Sequence, residues 1–61
     1  MRKYGLKQLM EGQSYWMAGQ RFALLDSAIE RAEKLHKENG RRFEIYEFVI
    51  GEGDKLVRVV E

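Results

Sequence analysis

Residues 43–50 read Phe43-Glu44-Ile45-Tyr46-Glu47-Phe48-Val49-Ile50, a run of aromatic and β-branched residues that predicts a β-strand. After Gly51-Glu52-Gly53-Asp54 a second such run follows, from Leu56 to Val60, and the short glycine-containing loop predicts an antiparallel hairpin of 43–50 with 55–60. Side chains alternate across a strand, so Phe43, Ile45, Glu47 and Val49 belong to one face and Glu44, Tyr46, Phe48 and Ile50 to the other. In the second strand Val57 and Val59 fall on one side, and Leu56, Arg58 and Val60 on the other. Both faces are largely apolar, and the fold turns on what covers each of them.

Upstream, Leu24, Leu25, Ala28, Ile29, Ala32, Leu35 and His36 recur at spacings of three and four, which predicts an amphipathic helix over 23–39. Asp26, Glu30, Glu33, Lys34 and Lys37 take its opposite side, where Glu30 with Lys34 and Glu33 with Lys37 pair four apart in the favourable order. Asn39-Gly40 supplies a left-handed C-cap, with His36 and Lys37 facing the negative pole of the helix. Ser27-Ala28-Ile29-Glu30 also fits a capping box. Because the apolar pattern already includes Leu24 and Leu25, the longer helix is expected, with Asp26 as a first-turn anion. Before it, Ser14 to Ala18 carries Tyr15, Trp16 and Met17 between Gly12 and Gly19, and predicts a strand.

The resulting order is β-α-β-β. A strand-helix-strand crossover makes its two strands parallel, giving a mixed sheet. The expected fold is α+β, with one amphipathic helix packed on a small three-stranded, mainly antiparallel sheet. Residues 1–11, through Tyr4, Leu6 and Leu9, either add a fourth strand at an edge or form an arm folded over the sheet.

At 61 residues the chain makes one domain, 1–61, and a domain of this size buries only about 60% of the surface its unfolded chain exposes. Without cysteine it has no disulfide or thiolate metal cluster and no thiol nucleophile, and a reducing cytosol suits it. Hydrophobic residues at 44% and charged residues at 34% describe a folding globular chain rather than a disordered one. The net charge of +1 excludes both a polyanion mimic and a non-specific DNA coat. The longest uncharged stretch, Gly12 to Gln20, is too short and polar to span a bilayer, so a cytoplasmic domain without membrane contact is expected.

One helix covers one face of a sheet. If it takes Phe43, Ile45, Val49, Val57 and Val59, then Tyr46, Phe48, Ile50, Leu56 and Val60 remain on the far side, with Trp16 as a further aromatic. An apolar patch of this kind marks an interaction surface. Three answers are open: residues 1–11 cover it, two copies bury it in a homodimer, or a different molecule docks there. A homodimer would also relieve the marginal stability of so small a chain.

Motifs for chemistry are sparse. Glu33-Lys34-Leu35-His36 has the spacing found in di-iron bundles, but one helix and one histidine cannot complete such a site, and His36 reads as a core-edge residue. Ser14 and Ser27 lack a triad around the single histidine. Glu44 and Glu47 read as solvated strand positions, and Gly51 and Gly53 as turn residues rather than a phosphate cradle. A catalytic role, a cofactor and a metal are therefore not expected. Lys34, Lys37, Arg41 and Arg42, with Arg58 and Lys55, form a basic group at the helix end. With Tyr46, Phe48, Tyr15 and Trp16 it suggests a nucleic-acid platform, in which bases stack on aromatics and cations meet phosphates. Glu30, Glu33, Glu38, Glu44 and Glu47 are interleaved with those cations and weaken the track.

The run Tyr15-Trp16-Met17-Ala18-Gly19-Gln20-Arg21-Phe22, followed by Ala28-Ile29-Glu30-Arg31-Ala32 and Gly40-Arg41-Arg42-Phe43-Glu44-Ile45, resembles small strand-helix-strand proteins of tailed phages and mobile elements. The likeness covers residues 14–61 and is a pattern of apolar and small positions. It implies a non-catalytic inhibitor or modulator that binds another protein assembly, and it assigns no functional residues. The leading expectation is thus a protein-binding accessory module, with homodimerisation open, and the alternative is a nucleic-acid-binding module.

Overall fold

The computed structural model describes residues 3–61. Its elements are β1 (Tyr4–Met10), β2 (Gln13–Phe22), α1 (Leu25–Asn39), β3 (Phe43–Val49) and β4 (Gly53–Val60). The four strands form one sheet in the order β2-β1-β3-β4, and each neighbouring pair is antiparallel. This is a small α+β fold with one helix on one face, but its order is β-β-α-β-β.

The N-terminal segment is the main departure from expectation. It is neither an edge strand nor a covering arm: β1 lies inside the sheet, between β2 and β3. The cause is the two-residue turn Glu11-Gly12, with φ of 53° and 82°, which folds β1 onto β2 as a tight hairpin. With β1 inserted, β2 and β3 are no longer neighbours, and the expected parallel pair does not exist. Lys3 continues the seam, its carbonyl accepting from Phe48 N–H at 2.7 Å.

The core lies between α1 and the sheet. Leu6, Ala28, Ala32, Phe43 and Ile45 are fully buried, each large side chain among them contributing about 1.5–3 kcal/mol by leaving water. Two alanines on the inner helix face let α1 approach the strands closely, while Ile29, Leu35 and Phe22 seal the margin. The helix starts later than the apolar spacing predicts. Leu24 stands at the N-cap without a side-chain cap and is 66% exposed, so neither a start at Ala23 nor the Ser27 capping box is realised. At its end Gly40 takes φ 72° and donates its N–H to His36 O at 2.7 Å. His36 Nδ1–H donates in turn to Arg41 O at 2.7 Å, and Asn39 Oδ1 accepts from Arg41 N–H at 2.9 Å, so the chain is held as it turns into β3.

Two bulges decide which side chains share a face. Opposite β1, the register passes from Gly5↔Arg21 to Lys7↔Trp16, so residues 17–20 of β2 stand against Leu6 alone. In β4 the register passes from Ile45↔Arg58 to Tyr46↔Leu56, which leaves Val57 as the extra residue. No helix among the described residues is long and apolar enough to cross a membrane.

Candidate binding face

The sheet face away from α1 is covered by no element among the described residues. Strand pairing places Lys7 and Gly5 of β1, Trp16 and Arg21 of β2, and Tyr46 and Phe48 of β3 together there. Trp16 packs against both neighbours, with ring centroids 5.3 Å from Tyr46 at 61° and 5.4 Å from Phe48 at 39°. Lys7 Nζ stands 4.7 Å from the Trp16 centroid and 4.8 Å from that of Tyr46. Arg21 Cζ stands 4.2 Å from the Phe48 centroid and 5.7 Å from that of Trp16. Each cation over a ring is worth about 0.5–1 kcal/mol at an exposed site, so the five side chains form a mutually held cluster.

The β2 bulge makes this arrangement possible. Trp16 and Arg21 are five apart in sequence, which in a regular strand sends them to opposite faces. The extra residues restore them to one face, opposite Lys7 and Gly5.

Along β3 the cluster continues into polar contacts. The Tyr46 hydroxyl donates to Glu44 Oε1 at 3.0 Å, and Arg42 Nη2 meets Glu44 Oε2 at 3.3 Å. Burial pushes the Tyr46 phenol above its ordinary pKa, and the hydrogen bond to Glu44 and that carboxylate's charge act the same way. Arg42 also reaches Glu61 at 3.5 Å, so its charge is matched. Lys7 and Arg21 differ: among the described residues neither has a carboxylate within 4 Å.

Of the residues expected on this face, Trp16, Tyr46, Phe48 and Leu56 are brought together, Leu56 by its pairing with Tyr46. Val60 is not. The β4 bulge turns Val57 and Val60 toward the core and puts Val59, opposite Glu44, on the open side instead. Ile50 stands in the β3–β4 turn, 91% exposed and outside the cluster. The basic group does not assemble with the aromatics either. Arg41 reaches Gln8 and the Met10 sulfur, which share the helix-side register of Leu6, and Lys34 and Lys37 are exposed on α1. Arg42 borders the open face but is held by Glu44 and Glu61. Arg58 is exposed on β4 opposite Ile45, on the helix side of the pairing. Tyr15 lies opposite Gln8 and donates to Gln13 Oε1 at 3.1 Å, away from Trp16.

The cations that do accompany the rings, Lys7 and Arg21, escape a reading of the sequence. Lys7 belongs to a strand whose place was not evident, and Arg21 depends on the bulge. Gly19, at φ 80° beside the expected end of β2, is the one local sign of it. Elsewhere, Phe22, Ser27, Glu30, Arg31 and Lys34 line an open depression of about 220 Å³. No group of three metal-ligating side chains converges among the described residues. No family model matches the chain, and no curated protein or solved structure matches it.

Proposed function

We propose that this chain is a non-enzymatic binding module, an accessory or regulatory protein of the phage or mobile-element kind, which docks on another protein through its open sheet face. The observation that carries the reading is the Trp16–Tyr46–Phe48 cluster, on a sheet face that no other element among the described residues covers. Trp, Tyr and Arg dominate the energetics of protein interfaces, and here they are pre-positioned on strands, so little ordering entropy opposes docking. The resemblance to small phage modulators supports the same class.

Nucleic acid is the second reading, favoured by Lys7 and Arg21 among the rings. Base stacking needs an open ring face. Lys7 stands over the Trp16 and Tyr46 rings and Arg21 over that of Phe48, which favours a protein partner.

A photo-cross-linking side chain at Leu56, on the face, compared with one at Glu33, on the outer surface of α1, tests the proposal in extracts of the expressing cell. A discrete protein adduct from position 56 alone, lost in Phe48→Ser, supports it. Equal adducts from both positions, or adducts destroyed by nuclease, overturn it. Light-scattering mass across a concentration series reads whether a second copy of the chain is the occupant.

A further inference from the structure

We propose that the segment docking on this face is acidic, with carboxylates meeting Lys7 and Arg21 and an apolar side chain lying against the aromatic rings beside them. The inference rests on the docking reading and adds the chemistry of the partner.

Charge complementarity carries it. Three ion pairs are formed among the described residues, Lys3–Glu47, Arg42–Glu44 and Arg42–Glu61, and they consume the carboxylate nearest the centre of the face. Glu44 lies directly across from Lys7 in the β1–β3 register, yet its two oxygens are taken by Arg42 and the Tyr46 hydroxyl. Lys7 is therefore left with rings for neighbours, and so is Arg21. Both side chains are oriented by those rings without being neutralised, since a ring face attracts a cation but carries no net charge. A guanidinium held in this way keeps its N–H donors free for a carboxylate, which it can meet with two parallel bonds. An aliphatic or aromatic side chain flanking that carboxylate would extend the Phe48–Trp16 contact and exclude water from the pair.

A phosphate polymer suits the face less well. Of the other cations considered for such a track, Arg42 borders the face but is paired with Glu44 and Glu61, and Lys34, Lys37, Arg41 and Arg58 are on the helix side, so no continuous basic track follows the rings.

The test titrates the full chain with a short glycine-serine peptide carrying several aspartates around one central phenylalanine, following the fluorescence of Trp16, the single tryptophan. Two comparison probes are the same peptide with asparagine for aspartate, and oligothymidylate of matched length. The aspartate peptide is expected to bind about fivefold or more tightly than its asparagine form, to lose that margin in Lys7→Gln/Arg21→Gln, and to keep it in Lys34→Gln/Lys37→Gln. Equal binding of the two peptides, no binding of either, or tighter binding of oligothymidylate overturns the inference. Those results leave a position-56 protein adduct intact if only the acidic chemistry is wrong, whereas loss of the adduct removes the docking reading itself.

Discussion

The ring of Phe48 on β3 occupies the space over Gly5 on β1, so that a methyl group on that α-carbon would come within 2.8 Å of Phe48 Cζ and 3.3 Å of the Trp16 ring. Gly5 is paired with Tyr46 on one side and Arg21 on the other, at the middle of the face. A missing side chain in the central strand is what allows two aromatic rings to lie down on the sheet.

Gly5→Ala therefore lifts both rings. The overlap is with the far edge of a half-buried ring rather than with backbone, so the chain still folds. Removing a glycine gains about 0.4–1 kcal/mol through the unfolded chain, and the displaced packing costs about 1–3 kcal/mol, for a net loss of about 1 kcal/mol. Urea denaturation reads that loss, and a red-shifted Trp16 emission reads the displacement. A variant more stable than the parent contradicts it.

Phe43 and Phe48 are five apart on one strand and face opposite ways. Phe43 is fully buried, and Phe43→Ala is expected to cost about 3–5 kcal/mol. A chain of this length holds about 3–9 kcal/mol in all, so the variant loses a third or more of its stability, read as a large fall in its urea midpoint. Phe48→Ser should keep a native spectrum with a loss near 1 kcal/mol. Unfolding of both variants alike would make the open face a second core.

The left-handed C-cap gives a third expectation. At φ 72° a Cβ is strained, and Gly40→Ala should cost about 1–2 kcal/mol. In a domain this small that lowers Tm by about 8–16 °C. Gly40→Asn should lose less, because asparagine tolerates this conformation, and differential scanning calorimetry separates the two.

The raised Tyr46 pKa sets a pH dependence. The folded state holds its proton more firmly than the unfolded state, so the contribution to stability is complete below about pH 10 and is lost as pH rises through the folded value. Denaturant midpoints measured from neutral pH into alkali should fall less steeply for Tyr46→Phe than for the parent chain. Identical slopes would mean that burial and Glu44 do not hold the phenol neutral.

Much of this architecture is legible in the residues. The 43–50 run, the glycine loop and the 55–60 run mark a hairpin because aromatic and β-branched residues are concentrated there, and Asn39-Gly40 ends the helix by backbone geometry alone. β1 is obscure because Tyr4-Gly5-Leu6-Lys7-Gln8-Leu9-Met10 alternates poorly: its open side holds a glycine and a lysine before Leu9, and its helix side mixes Tyr4 and Leu6 with Gln8. The bulges are harder still. Each shifts the alternation of every residue beyond it, so Val59 and Val60 exchange sides and Arg21 joins Trp16, and such shifts arise from tertiary packing rather than local preference.

The seam between β1 and β3 joins two locally closed hairpins, and the exposed cluster is divided across it. Lys7, Trp16 and Arg21 come from the first hairpin, Tyr46 and Phe48 from the second. Neither half displays the surface by itself, so a partner of the proposed kind would discriminate between assembled protein and nascent or cleaved chain. On that proposal, proteolysis within the connecting helix would abolish docking even where every residue of the surface survived.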